Sequence, residues 1–317
     1  MANIKSIRDG FGDGLLEIGS ENKLVVALTA DLGESVRMSE FAGQFPERFI
    51  QVGIAEQNMA AVAAGMALEG LIPFIGSFAS FQPMRSLDQI RTSIAMMGAN
   101  VKVVSSHAGF SYAADGVQIQ ALEDIGIMRM LPGFTVMVPA DADQAAEMAK
   151  LAAATSGPVY LRLGREKTQL LSSYPKINKD ELKTKVGQAQ LLRIGGDVAF
   201  ITCGYMVGQC LAAAEELAGD GVHATVINMH TIKPIDREAI IDAAKHVGKI
   251  ITVEEHQVTG GLGSAVAEVL AGEQIHIKFA SIGVQDQFGD TAKTTLELWE
   301  KYGLGVGDIV KTAKSIL

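Results

Sequence analysis

Cysteine is scarce: Cys203 and Cys210 are the only two in 317 residues. Two cysteines in a chain of this length give no disulfide framework and fit a reducing compartment. Their spacing matches no common metal-ligand pattern, so both are expected as small buried apolar residues. Positive charge is also in deficit, with 27 Lys and Arg against 36 Asp and Glu and a net charge of −9. That balance argues against a nucleic-acid surface, which needs a basic face. A few well-placed arginines can still hold a small anion. Long apolar runs are missing too. The most apolar stretch, 59–79, is interrupted by Glu69, Pro73 and glycines, so no membrane span is expected. The opening residues lack the apolar core and cleavage site of a secretory signal. The expected location is cytoplasmic.

What is present is a well-packed composition, 48% apolar and 20% charged, in a chain long enough for two cores. Short apolar runs such as Leu24–Leu28, Ile72–Phe78 and Val198–Thr202 alternate with segments of helical spacing such as Ile4–Ile18 and 55–68. Apolar runs of this kind suit parallel strands buried on both faces. The alternation predicts α/β architecture: two doubly wound domains with largely parallel sheets. The expected boundaries are a first domain over 1–167, a polar, lysine-rich surface linker over 168–187, and a smaller second domain over 188–317.

The turn Val52–Asn58 carries the most information. A strand ends and a helix begins there, at the carboxyl edge of a parallel sheet, where ligands bind in such folds. An acidic residue in the first helical turn is ordinary, because the helix dipole favours it. Glu56, however, lies among apolar and amide residues for some ten positions on either side. Burial there would raise its pKa towards the range useful in acid–base work, provided water is excluded.

The run Ile54-Ala55-Glu56-Gln57-Asn58-Met59 resembles the signature of the pyrimidine-binding domain of transketolases. The likeness continues through Asp31-Leu32, Gly76–Phe81, Ala114-Asp115-Gly116, Val138–Asp141 and Gly157–Leu163. Asn228–Pro234 and Glu254-Glu255-His256 resemble the family's C-terminal domain. The resemblance implies a thiamine diphosphate-dependent transferase. In the family, the glutamate matching Glu56 hydrogen-bonds the aminopyrimidine of the cofactor and favours the tautomer that removes the thiazolium proton. It also implies cofactor contacts for Asp31, Leu32, Phe78 and Phe81, with Phe81 favoured over Phe78 as the stacking ring. Arg8, Ser35, His107 and Arg165 match positions that hold the substrate phosphate, a task that suits the arginine fork. His107 is further expected to act in catalysis. Asp115 matches a contact to a sugar hydroxyl.

One departure stands out. The family pattern after Asp-Gly includes a substrate-binding histidine, and here Ile119 takes its place. Isoleucine neither donates a hydrogen bond nor moves a proton. Either Gln118 or Gln120 substitutes, or the donor sugar differs from the usual one, for example a modified ketose with an anionic tail. Two glycine motifs are set aside: Gly12-Asp13-Gly14 falls inside a helical pattern, and Gly260-Gly261-Leu262-Gly263 is read as a tight turn.

The family's diphosphate- and metal-binding domain has no counterpart in this sequence. The expectation is therefore no metal site in the chain and Mg2+ held by an N-terminal partner subunit. That predicts an α2β2-type assembly, active only as a complex, and sugar phosphates as substrates. The alternatives are a β subunit of a 2-oxo acid dehydrogenase, a deoxyxylulose phosphate synthase-like enzyme, and a non-catalytic regulatory subunit.

Overall fold

The computed structural model describes residues 4–177 and 179–317. The first half runs β1 (Ile4–Ser6), α1 (Ile7–Glu21), β2 (Val25–Thr29), α2 (Ser39–Gln44), β3 (Phe49–Gln51), α3 (Glu56–Leu68) and β4 (Ile72–Phe78). It continues through α4 (Leu87–Gln89), β5 (Lys102–Ser106), α5 (Asp124–Met130), β6 (Thr135–Met137), α6 (Ala142–Ala154), β7 (Val159–Arg162) and β8 (Lys167–Gln169). The second half holds β9 (Gln190–Arg193), β10 (Val198–Thr202), α7 (Met206–Gly219), β11 (Ala224–Asn228) and β12 (Thr231–Lys233). After these come α8 (Arg237–His246), β13 (Lys249–Gln257), α9 (Leu262–Gly272), β14 (Lys278–Val284), α10 (Thr295–Lys301) and α11 (Val306–Ile316).

Seven strands form one sheet in the order β12-β6-β7-β5-β4-β2-β3, and five form another in the order β14-β13-β10-β11-β9. Within these two sheets all pairings are parallel except those of β12 and β9. The α/β class with largely parallel sheets is as the apolar runs predict. Strands β2, β5, β7, β10 and β11 are buried along their whole length, because helices cover both faces. Asp141 caps α6, its side chain accepting from the Gln144 amide. Cys203 and Cys210 are free and buried, and burial pushes the Cys210 thiol up to about 12.

Three local expectations need correction. Helical spacing over Met84–Met96 predicts one helix there, and the structure instead has a short α4 followed by a π-helical stretch over Ile90–Ala95. The segment before it spends its backbone on the Phe78–Arg85 turns. The apolar pattern of Ile275–Phe279 predicts a strand at those residues, and the strand forms later, as β14, where its register with β13 runs from Lys278 to Val284. The lysine-rich stretch after Arg165 is not a bare surface strap. β8 pairs antiparallel with β1, Leu170, Leu171 and Ile177 are buried, and the Leu171 amide donates to Asp141 at 2.6 Å.

The two halves interlock. β12 leaves the second half and completes the first sheet beside β6. Buried Arg162 donates to Asp124 at 2.8 Å and to the Glu255 carbonyl at 3.0 Å. Trp299 Nε1 donates to Glu255 Oε1 at 2.6 Å. The glycine turn before α9 is a structural feature capped by the chain itself: the Leu262 and Gly263 amides both donate to the buried carboxylate of Glu254 at 2.7 Å. The anion position at that helix start is therefore filled by the chain itself. Gly12-Asp13-Gly14 lies within α1.

Candidate active site

Parallel strands present their carboxyl ends to one edge, and the candidate residues collect there. Glu56 opens α3, after β3. Phe78 is the last residue of β4, His107 follows β5, and Arg165 follows β7. Arg8 lies in the first turn of α1, and its amide donates to the Gly164 carbonyl, which brings it to the same edge.

Glu56 is 1% exposed. Its Oε2 accepts from Arg85 Nη1 at 2.8 Å, and its Oε1 takes only a long contact of 3.3 Å from Ser77 Oγ. This corrects the sequence expectation of a carboxyl among apolar and amide groups alone, since the chain supplies an arginine across the site. The same guanidinium lies over the Phe81 ring, 4.6 Å from its centroid. Phe81 stacks on Phe78 with centroids 5.6 Å apart, and Phe78 lies 3.9 Å from the His107 ring. Both phenylalanines thus belong to one column, so the sequence alternatives are neighbours.

His107 is 2% exposed. Arg8 Nη1 lies 3.5 Å from its Nε2, and Ser106 Oγ lies 2.9 Å from its Nδ1. Arginine can only donate, so Nε2 presents its lone pair and the ring proton sits on Nδ1. Burial, followed by the charges of Arg8, Arg165 and Arg37, pushes His107 down to about 3. It is neutral at physiological pH. Arg8 donates to the Ser35 carbonyl at 2.8 Å, which puts Ser35 beside it. Its Nε is buried without a partner, and among the described residues no carboxylate pairs with it. Burial and the neighbouring cations Arg37 and Arg165 depress its pKa. Arg165 stacks 4.3 Å over Tyr112, whose ring stands edge-on to His107 at 5.9 Å. Three arginines around a neutral histidine form a pocket of net positive charge suited to an anion.

Backbone strain marks the same place. Six described non-glycine residues have positive φ, and four of them, Asp31, Arg37, His107 and Tyr112, lie on these loops. Such conformations cost free energy and cluster at functional sites.

Other expected residues join less directly. The Asp31 and Leu32 amides are held by Gln51 and Thr29 at the end of β2. Asp115 and Gln118 are exposed, and neither side chain is hydrogen-bonded to another described residue. Gln120 Nε2 donates to the Asp290 carbonyl at 2.7 Å, while its Oε1 is buried without a partner among the described residues. The sequence reading missed Arg85, Tyr112, Arg37 and Ser77. For Arg85 the one available signal was a lone cation beside an apolar stretch. Tyr112 gave none.

Among the described residues there is no group of three or more His, Cys, Asp or Glu that could hold a metal ion, and no helix is long and apolar enough to cross a membrane. Residues 5–169 match the model of the transketolase pyrimidine-binding domain, and residues 187–309 match that of the transketolase C-terminal domain. The chain belongs to the transketolase family. It is 43% identical over 310 residues to the 6-deoxy-6-sulfo-D-fructose transketolase subunit SqwH of Clostridium sp. (strain MSTE9), covering 98% of this chain and 94% of that one. It is 36% identical over 312 residues to one of the subunits of the apulose-4-phosphate transketolase of Phocaeicola vulgatus, covering 98% and 97%. Among solved structures it is similar to a split-gene transketolase described as an inactive β4 tetramer, with 42% identity, a TM-score of 0.86 and 98% of each chain covered. Family membership implies thiamine diphosphate. The residues at this edge fit the aminopyrimidine half of that cofactor: a buried carboxylate with one weakly engaged oxygen beside an aromatic column.

Proposed function

We propose that this chain is the pyrimidine-binding subunit of a split transketolase that moves a two-carbon ketol unit from an anionic ketose to an aldose phosphate. The observation that carries the proposal is one unbroken run of contacts, from Glu56 through Arg85, Phe81, Phe78 and His107 to Arg8. It joins a buried acid, a stacking surface and an unpaired cation within one edge.

In this proposal the Glu56 carboxylate would hydrogen-bond the aminopyrimidine ring, and Phe81, backed by Phe78, would stack against it. Asp31 and Leu32 border the cofactor at the end of β2. Bound there, the cofactor supplies the carbanion chemistry of ketol transfer. Neutral His107 accepts or relays a proton through Nε2. Arg8, Arg165 and Ser35 hold the anionic tail, and Asp115 and Gln118 face the sugar hydroxyls. The relatives named for a sulfonated and a phosphorylated ketose support an anionic donor, and Ile119 supports a donor other than the usual one.

Mg2+ and the diphosphate would be held by an N-terminal partner subunit, in an α2β2-type assembly in the cytoplasm. One feature of α3 supports assembly. Glu56 and Met59 face the core, while Ala61, Gly65 and Leu68 lie exposed along the opposite stripe. An apolar helix with an uncovered face calls for a partner. The test is to reconstitute the chain with its partner subunit, thiamine diphosphate and Mg2+, and to assay a panel of ketoses. Turnover of phosphorylated or sulfonated ketoses, and none by the isolated chain, is expected. Full activity of the chain alone would refute the partner requirement, and full activity on xylulose 5-phosphate would refute the altered donor.

A further inference from the structure

The Arg85 guanidinium is a flat, nitrogen-rich cation that does two things at once: it donates to Glu56 Oε2 at 2.8 Å and lies 4.6 Å over the Phe81 ring. These are the two contacts that the proposed site offers an aminopyrimidine, which is also flat, rich in nitrogen and bound by stacking and a hydrogen bond to a carboxylate. We infer that Arg85 is a displaceable place-holder, filling the aminopyrimidine position in the cofactor-free chain and swinging out when the cofactor binds. The inference rests on the assignment of Glu56 and Phe81 to the cofactor.

Two further observations support movement. First, the Arg85 side chain is 46% exposed while its partner Glu56 is 1% exposed, so the cation has a path to water and the carboxylate does not. A buried carboxylate left unpaired is costly, and Arg85 removes that cost until a ligand does. Second, the segment that carries Arg85 is poorly satisfied. Of the twelve buried side-chain polar atoms without a partner among the described residues, five lie between Ser80 and Gln89: Ser80 Oγ, both Gln82 amide atoms, Ser86 Oγ and Gln89 Oε1. Buried polar groups are normally paired. Such a concentration indicates a segment whose partners are completed in a second arrangement. The aromatic residues beneath it, Phe78 and Phe81, already contact each other and give the ring plane a fixed floor.

The test is the affinity of the reconstituted two-subunit complex for thiamine diphosphate at saturating Mg2+, measured by titration calorimetry. Removing a competitor tightens binding, so Arg85→Met should bind about fivefold more tightly than wild type, the scale of a half-exposed ion pair worth ~1 kcal/mol. Unchanged or weaker binding overturns the inference, because a permanent partner of Glu56 would be lost instead of a competitor. If Arg85→Met does not fold, Arg85→Lys serves. Lysine keeps the charge but neither the plane nor the fork, so a smaller gain in affinity is expected, and any loss is fatal to the idea. A crystal structure of the loaded complex should show Arg85 out of contact with Glu56, whereas a retained ion pair overturns it. Failure of the underlying assignment shows differently: Glu56→Gln would then leave cofactor affinity and ketol transfer intact, whatever Arg85 does.

Discussion

Replacing Glu255 by glutamine should stabilise the protein at pH 8 and change it little at pH 5. Glu255 is 3% exposed. Its Oε1 accepts from Trp299 Nε1 at 2.6 Å. Its Oε2 lies against Gly109, where φ is +69° and a side chain would collide with the carboxylate, and no hydrogen bond satisfies it. Burial pushes the carboxyl up to about 7, against the opposing pull of Arg162 and the Trp299 hydrogen bond. A carboxyl whose folded pKa lies above the unfolded one favours the folded state when protonated, so its contribution is lost as pH rises from about 4.5 to about 7. At ~1.4 kcal/mol per pH unit, the ionised form costs roughly 3 kcal/mol by pH 8 and under about 1 kcal/mol at pH 5. Glutamine keeps an acceptor for Trp299 and carries no charge. Urea unfolding of wild type and Glu255→Gln at the two pH values measures the difference. The Glu255→Gln variant should still soften somewhat with rising pH, because burial likewise holds Glu254 up at about 7. An equal stability gap at pH 5 and pH 8 would refute the argument that burial governs this carboxyl.

The site yields three further predictions. Glu56→Gln in the reconstituted complex should lower kcat by at least about 100-fold, the lower end of general acid–base effects, and near-wild-type turnover would favour a non-catalytic role for the chain. Arg8→Met removes a charged donor worth about 1.5–3 kcal/mol, so KM for an anionic ketose should rise roughly 10- to 150-fold while KM for an uncharged ketose stays the same; equal losses for both would move the tail elsewhere. With a sulfonated donor, which does not titrate near neutrality, kcat/KM should show no inflection near pH 6.5 from His107. That group is already neutral above about 3 in the free protein, and kcat/KM reports the free protein's ionisations. An inflection there that vanishes in His107→Asn would count against the neutral imidazole.

Sequence patterning carried furthest where one physical rule governs a contiguous segment. β4 forms at the residues its apolar run marks, Ile72–Phe78, because a strand buried on both faces must be apolar throughout. Glu56 was legible for a related reason: a charge inside such a stretch is costly to bury, so its presence calls for a purpose. The pattern failed where the deciding partner is distant in sequence. β14 takes its bounds from pairing with β13, and β12 crosses into the other sheet to pair with β6; neither choice is written in its own residues. The polar stretch after Arg165 looked like linker because three buried apolar residues among lysines leave too weak a period to count.

The same limit shaped the site. The arginine cluster is legible in the sequence only through the resemblance of Arg8 and Arg165 to family positions, since residues so far apart in the chain have no local signature. What resemblance could not supply is how the charges balance. Arg37 pairs with Asp9 at 2.6 Å and Arg165 touches Glu166 at 3.2 Å, whereas Arg8 faces a histidine that burial and its cationic neighbours keep neutral. The surplus charge therefore rests on Arg8. An anionic ligand there would gain most from Arg8 and least from Arg37, whose charge is already answered. The order of KM effects across Arg8→Met, Arg165→Met and Arg37→Met should follow that ranking, and a larger effect at Arg37 than at Arg8 would show that the charge balance of the cofactor-free chain does not persist in the complex.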